Sequence, residues 1–366
     1  MQFHLAINLE RPDASLDMRD VARHTLEMVQ LADQAGFETV WAAEHHALEM
    51  TIAPNPFQIL TWWGENTDRI RLGTAVAAAP YWHPIRIAGE AAFLDLISGG
   101  RLEFGLGSGA YQREFDRMRP GLKQSDGAAF LREMLPAVLR LWQGDYAHDG
   151  AHWSFPTATS VPKPLQKPHP PLWVAARSPQ TYAFAAEMGA NVMSWPLTRP
   201  FSEAELYKAR FDAAMAGRSD RPRFAMMRHA AVYATQADRD AALHAIRRIL
   251  GQFENLFRNL GDVVDGFPAE IPFAELEGRE QYDPAMLEEN LLFGSPEQVV
   301  EKLRAYSALG VDAFIYYASM GLGLAEQRRG LELFAREVMP AFAAPSGARD
   351  VAREDPPLAL GAGQGQ

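Results

Sequence analysis

Glu44, His45 and His46 stand together at the end of a small, apolar run, Val40-Trp41-Ala42-Ala43. A carboxylate beside two imidazoles can take up and release protons near neutral pH, which is the equipment of general acid–base chemistry. The run before them has the look of a strand buried in a parallel sheet. Neighbouring side chains of a strand point to opposite faces, so one imidazole would face a cavity and the other packing or a loop. The plain alternative is a pair of satisfied structural histidines. Glu49 invites a metal reading, but adjacent histidines lack the i, i+4 spacing that puts two imidazoles on one helical face. A Ser-His-Asp hydrolase has no G-x-S-x-G elbow to support it.

Two further stretches could hold a ligand. Gly105-Leu106-Gly107-Ser108-Gly109-Ala110 fits G-x-G-x-x-A after a strand, with Asp126 further on. Taken alone this is a dinucleotide fingerprint, but it follows the fourth strand and Pro120-Gly121 interrupts the chain before any long helix. The alternative is that glycines let backbone approach a flat or phosphorylated ligand closely. Arg177-Ser178-Pro179-Gln180-Thr181 places a favoured N-cap, a favoured first helical residue and two hydroxyls three residues apart. Free N–H groups and a guanidinium there suit a phosphate, and a plain helix cap fits equally. Trp195, His83, Tyr81 and Trp82 suggest an apolar, partly aromatic pocket wall.

The chain has no cysteine, which removes thiol nucleophiles, disulfides and thiolate metal sites. Its formal net charge of -11, without a long Lys/Arg run, argues against nucleic acid and anionic membrane as partners. No apolar run approaches the roughly 20 residues of a membrane span. Met1 to Pro12 lacks the charged and apolar regions of a signal peptide, so the expected location is the cytoplasm.

The elements that must position these residues alternate regularly. Strands are expected at Phe3–Ile7, Thr39–Ala43, Arg69–Val76, Arg101–Leu106, Leu172–Ala176, Asn191–Ser194, Arg223–Tyr233 and Asp312–Tyr317. Helices are expected at Val21–Ala35, Phe57–Glu65, Pro84–Ile97, Ala128–Trp142, Pro179–Met188, Glu203–Ala216, Asp238 to about Leu260, Ser295-Pro296 to Leu309, and Glu326–Met339. Eight strands alternating with helices predict one α/β domain, a single (β/α)8 TIM barrel over residues 1–343. Residues 144–171 and 261–290 are insertions too long for ordinary loops, the second of them a candidate lid. The tail 344–366 is expected to be disordered.

At this point the chain resembles the bacterial luciferase-like flavin monooxygenases. The matching segments are Trp-Ala-Ala-Glu-His-His to Ala-Pro-Asn-Pro over 41–56, Ile-Arg-Leu-Gly-Thr-Ala-Val to His-Pro over 70–84, and Leu-Asp-Leu-Ile-Ser-Gly-Gly-Arg-Leu to Gly-Ala-Tyr-Gln-Arg-Glu-Phe over 94–115. Residues 173–181 and Phe-Gly-Ser-Pro-Glu-Gln to Lys-Leu over 293–303 follow in order. The resemblance implies a flavin at the strand C-termini and a two-component monooxygenase. Reduced FMN would come from a separate flavin reductase, and O2 would oxygenate a small organic substrate through a flavin C4a-hydroperoxide. It implies that His45 is the catalytic histidine, flanked by Glu44 and His46, and that Ala75-Val76 carries a cis peptide under the flavin. Ser108, Gly109, Ala110 and Tyr111 would lie beside the flavin, and Ser178 and Thr181 would hold its phosphate. It also implies a homodimer, for which Phe57–Trp63 and Ile85–Leu96 offer apolar surface. Two departures stand out: Ser108 replaces a family arginine, and Ser125-Asp126-Gly127 replaces another, so that Arg177 would have to compensate. An F420-dependent oxidoreductase moving hydride on the same barrel, and a non-enzymatic flavin-binding protein, are the alternatives.

Overall fold

The computed structural model describes residues 1–276 and 278–343. Eight parallel strands close into a barrel: β1 (Gln2–Ala6), β2 (Thr39–Ala42), β3 (Arg71–Thr74), β4 (Leu102–Gly107), β5 (Leu172–Ala175), β6 (Asn191–Ser194), β7 (Phe224–Val232) and β8 (Ala313–Tyr317). Closure is visible in the register. β1 pairs with β2 through Leu5↔Val40 and with β8 through Leu5↔Tyr316, while β7 joins β8 through Met227↔Ile315 and β6 through Ala225↔Met193. The predicted (β/α)8 barrel is the observed fold.

Helices α1 (Met18–Ala35), α2 (Pro56–Glu65), α3 (Pro84–Ile97), α4 (Gly127–Gln143), α5 (Pro179–Glu187) and α6 (Phe201–Met215) follow the first six strands. After β7 comes α7 (Gln236–Arg258), then α8 (Pro296–Ala308) before β8 and α9 (Leu324–Leu333) after it. Their ends obey the local signals. Asp17 caps α1 and Gly36 closes it at φ 88°. Asn55 caps α2 ahead of Pro56, and Ser295 with Gln298 forms a capping box on α8.

Because helices cover the outside, strand residues are buried on both faces. Leu5, Val40, Leu72, Phe104, Val174, Val192 and Phe314 pack outward under the helices, while Trp41, Trp173, Met193, Ala225, Ala313 and Ile315 fill the interior. Trp41 and Trp173 meet edge to face with ring centroids 5.2 Å apart, and the Trp41 indole donates to His4 Nδ1 at 3.1 Å. Beneath them the buried Glu103 takes hydrogen bonds from Trp173, Arg71 and Arg223. Burial, followed by the charges of Arg223 and Arg71, pulls the His4 pKa down to about 3, so that ring is neutral. This floor, in which His4 Nε2 is left without a partner, closes the barrel at its N-terminal end and leaves the other end for function.

The sequence reading missed several short elements. Residues 144–171 are not wholly loop, since Tyr146–Asp149 and Ser154–Ala158 pair as an antiparallel hairpin whose register shifts between Tyr146 and His148. The irregularity breaks the alternation that a strand assignment relies on. Residues 261–290 contain a two-residue ladder, Val263–Val264 with Phe267–Pro268, and the short helix Pro284–Asn290. Leu292–Gly294 adds to the end of β7, and a short helix, Gln112–Met118, follows β4. The expectation for the tail 344–366 lies outside the described residues.

Gly105 and Gly107 are answered by the barrel itself. A Cβ on Gly105 would stand 1.9 Å from the Thr74 carbonyl oxygen, and one on Gly107 2.2 Å from Val76 Cγ2. The glycines admit the neighbouring strand and the Ala75-Val76 segment; neither the dinucleotide fingerprint nor close approach to a ligand is needed to explain them. Gly105→Ala is therefore expected to lose about 3 kcal/mol or more in urea denaturation, beyond ordinary overpacking because the clash is with backbone. Gly144→Ala, with nothing near its Cβ position, is expected to stay within about 0.5 kcal/mol of the wild type. Equal stability of the two variants would contradict this account of β4.

Candidate active site

β2 ends at Ala42, and the chain turns through 43–50 across the C-terminal mouth of the barrel. Glu44 points inward and is buried. Its Oε2 accepts from the backbone N–H of Ala78 and the indole N–H of Trp82, both at 2.7 Å, and its Oε1 lies 2.7 Å from His46 Nε2. The Ala75–Val76 peptide between β3 and Ala78 is cis. Beyond it Ala77 and Ala78 pair with Leu106 and Gly107 of β4, which sets the Ala78 amide against Glu44.

A second carboxylate completes the arrangement. Glu114, on the short helix Gln112–Met118, is 1% exposed. It accepts the His46 backbone N–H at 2.7 Å, and both of its oxygens lie 3.3 Å from His45 Nδ1. A carboxylate can only accept, so Nδ1 of a neutral His45 carries the proton and Nε2 is left as the basic nitrogen. The two histidines face different ways, but because the chain turns after Ala42 and not by the alternation of a continuing strand. His45 lines a cavity of about 500 Å3, and His46 lies behind it on Glu44. Burial works against a charged His46, but the hydrogen bond and charge of Glu44, helped by Glu114, raise its pKa above the ordinary value.

Glu44, His45, Ala75, Val76, Ser108, Gly109, Ala110, Tyr111, Arg177, Ser178, Thr181 and Trp195 all line this one cavity. Tyr111 stands between His45, at 5.4 Å between ring centroids, and Phe257 of α7, at 5.0 Å. Across the mouth, Ser178 caps α5, its Oγ accepting from the Thr181 N–H at 3.3 Å and lying 2.9 Å from Thr181 Oγ1. Arg177 adds positive charge there, and its carbonyl takes a 2.6 Å hydrogen bond from Arg210 of α6.

Two expected wall residues lie elsewhere. His83 is the N-cap of α3, accepting the Ile85 N–H at 3.2 Å, with its ring beside Phe155 rather than in the cavity. Trp82 is buried with its indole on Glu44; only Tyr81 of that segment reaches the cavity. Sequence reasoning missed Glu114, although it belongs to the quoted Tyr-Gln-Arg-Glu-Phe segment; its acid, flanked by aromatics, was the available signal. It also missed Asn8 and Tyr317 from the ends of β1 and β8, and Phe257, all of which line the cavity. Among the described residues no group of three or more His, Asp and Glu side chains is arranged to hold a metal.

Glu44→Ala leaves two buried donors without an acceptor and is expected to cost about 3 kcal/mol in chemical denaturation, whereas Glu44→Gln keeps an acceptor and costs about 1 kcal/mol. A raised histidine pKa stabilises the fold below the unfolded value of 6.5 and loses that effect as pH rises through the folded value. The stability gap between wild type and Glu44→Gln is therefore expected to be widest in mild acid and to narrow above neutrality. A gap that does not change with pH would remove Glu44 as the group that holds His46 charged.

Comparison with known proteins agrees with this geometry. The family model described as luciferase-like monooxygenase matches residues 1–313. The oxygenase component of the flavin-dependent trigonelline monooxygenase of Acinetobacter baylyi is 38% identical over 344 residues, covering 93% of this chain and 96% of that protein. An alkanal monooxygenase alpha chain of Photorhabdus luminescens is 26% identical over 251 residues, 67% of each chain. In fold, the chain resembles the monooxygenase RslO1 of Streptomyces bottropensis, with a TM-score of 0.75 at 24% identity over 94% of this chain and 100% of that one. It also resembles the oxygenating constituent of 3,6-diketocamphane monooxygenase of Pseudomonas putida, solved with FMN, with a TM-score of 0.74 at 19% identity over 94% and 99%. An F420-dependent secondary alcohol dehydrogenase shares the barrel at a TM-score of 0.72 and 17% identity, over 94% and 99%. The family-model match over residues 1–313 and the relative 38% identical across 93% of the chain show that this chain belongs to the luciferase-like monooxygenase family.

Proposed function

We propose that this protein is the oxygenating component of a two-component flavin monooxygenase that receives reduced FMN from a separate reductase. The observation that carries the reading is the fixed His45, whose Nδ1 is held by Glu114 and which lines the same cavity as Ser178 and Thr181. The cavity lies within the ~300–1,000 Å3 of small-molecule and cofactor sites. Its donor set suits FMN. Two hydroxyls, the positive N-terminal end of α5 and the Arg177 guanidinium would hold a phosphate, and the small residues Ala75, Gly107 and Ala175 belong to the wall. Bound reduced flavin would supply the activation of O2.

The chain's own residues orient, shield and transfer protons. Ser178, Thr181 and Arg177 anchor one end of the cofactor. The rings of Tyr111, Phe257 and Trp195 present an apolar surface to a flat organic substrate and exclude water. His45 Nε2 accepts or returns a proton at the reacting end, and Glu114 stabilises the imidazolium that forms. The trigonelline-acting relative makes a small heteroaromatic compound a reasonable member of the substrate class. No helix among the described residues is long and apolar enough to cross a membrane.

A homodimer fits the surface. Phe93, Leu96 and Ile97 are exposed on one face of α3 at helical spacing, and Trp62 of α2 is exposed on the adjacent helix. Sedimentation equilibrium at micromolar concentration is expected to show a dimer for wild type and a monomer for the double variant Phe93→Asp/Ile97→Asp. A monomeric wild type would end this part of the reading.

His45→Ala is expected to bind FMN as wild type does yet to uncouple the reaction. With a flavin reductase and a panel of aldehydes, ketones and heteroaromatics including trigonelline, reduced flavin is still oxidised while product yield falls about a hundredfold. Wild-type yield in that variant would take His45 out of the mechanism. Binding of F420 in place of FMN by the purified protein would transfer the site to hydride chemistry.

A further inference from the structure

Beside the main cavity lies a much smaller one of about 10 Å3, room for a single water molecule. Asn8, Met50 and Tyr317 belong to both walls. The small cavity is otherwise polar on one side, where Glu10, Glu49 and Gln252 contribute to its wall. Glu10 Oε2 accepts the Gly321 N–H at 2.9 Å. Glu49 is paired with Arg11 through Oε1 at 3.0 Å, and its Oε2 is buried without a partner. On the cavity side Asn8 Nδ2 donates to the Tyr317 hydroxyl at 3.0 Å, so the phenol still has its own proton to give.

We propose that Glu10 is the proton source of the main cavity, reached from it through the Tyr317 hydroxyl and one water in the small cavity, with Asn8 orienting the phenol. The inference rests on the monooxygenase reading. Oxidation of anionic reduced flavin by O2 takes up one proton per turnover. With substrate, flavin hydroquinone anion, O2, substrate and a proton give oxidised flavin, oxygenated product and water. Without substrate, the same anion, O2 and a proton give oxidised flavin and hydrogen peroxide. Where bound cofactor and substrate fill the cavity, a titratable group at its border is placed to give that proton.

The surroundings suit Glu10 to this task. Burial pushes its carboxyl up to about 7, against the pull of the Gly321 and Met320 amides and the more distant charge of Arg248. The charged groups facing it are accounted for on each side. Arg11 is engaged by Glu49, Arg248 of α7 by Glu270 and the Pro12 carbonyl, and Tyr317 of β8 is kept protonated by burial, with the charge of Glu10 adding to the effect. Gln252 of α7 is neutral. A carboxyl in this setting holds a proton in mild acid and releases it near neutrality.

The test needs no substrate. The complex of protein with reduced FMN is mixed rapidly with oxygenated buffer between pH 5.5 and 9, and oxidised flavin is followed by absorbance. In wild type the rate is expected to fall as pH rises through about 7. In Glu10→Gln it is expected to be about tenfold lower at pH 6 and flat over the same range, with Tyr317→Phe slowed in the same sense. FMN affinity, measured by fluorescence quenching, is expected to be the same in wild type and Glu10→Gln. The fold supplies an independent readout. A carboxyl whose folded pKa is raised stabilises the protein below its unfolded pKa and loses that effect as pH rises through the folded one. The thermal midpoint of wild type relative to Glu10→Gln should therefore fall between mild acid and pH 8. A wild-type rate and pH profile in Glu10→Gln would overturn the proposal with the monooxygenase reading intact, whereas a wild type that binds no FMN would overturn both.

Discussion

The mouth of this barrel depends on two carboxylates held out of water. Burying a carboxylate is costly unless its oxygens are hydrogen-bonded, so Glu44 and Glu114 dictate what must surround them. Glu44 draws in the Ala78 amide, the Trp82 indole and the His46 ring. To bring that amide there, the chain leaves β3, passes the cis Ala75–Val76 peptide and rejoins β4 two residues later. Gly107 must lack a side chain because Val76 occupies the place of its Cβ. Glu114 reaches the same loop from the other side and takes the His46 amide and the His45 ring. The backbone around Ala75, the indole of Trp82 and the short helix after β4 are consequences of satisfying two acids.

The two ends of the barrel treat buried charge in opposite ways. At the floor, Glu103 accepts from two arginines and an indole, and His4 is kept neutral by burial and by the charges of Arg223 and Arg71. At the mouth, imidazoles are paired with carboxylates, His46 is shifted so that it titrates nearer neutrality than a buried ring would, and Glu10 is moved up into the same region. A network with donors to spare rigidifies; one with titratable pairs can exchange protons. The contrast separates the part of the interior that stabilises from the part equipped for chemistry.

Much of this was legible in the sequence. Eight apolar strands alternating with helices fixed the barrel, because the period of burial is written in each segment. The Glu44-His45-His46 cluster announced itself by residue type. Arg177, Ser178 and Thr181 were legible because an N-cap and a following proline identify a helix start without any structure. What sequence could not supply was proximity across the mouth. Glu114 lies 69 residues from His45 and Tyr317 lies 309 from Asn8, and no local pattern joins them. His83 misled because a histidine before proline reads as a loop residue near the pocket, whereas it spends its ring nitrogen capping α3. The hairpin at 146–158 was hidden by its own irregular register.

The charge layout of the cavity also constrains how a bound cofactor must lie. Arg177 and the first turn of α5 make one end positive, with Arg210 attached to the same turn through the Arg177 carbonyl. Glu44 and Glu114 make the opposite end negative, an end that accepts a ring edge or a proton and repels an anion. On the proposed function, a phosphate-bearing cofactor would therefore lie with its dianion on Ser178 and Thr181 and its ring system turned towards His45. The resemblance to the family implies arginines where Ser108 and Ser125-Asp126-Gly127 stand, on the β4 side. Here positive charge stands after β5, at Arg177, with Arg210 of α6 attached to its carbonyl, so on the proposed function the anchoring would come from this flank. On the proposed function, that direction of charge, more than any single contact, would turn the reacting end of the cofactor towards His45.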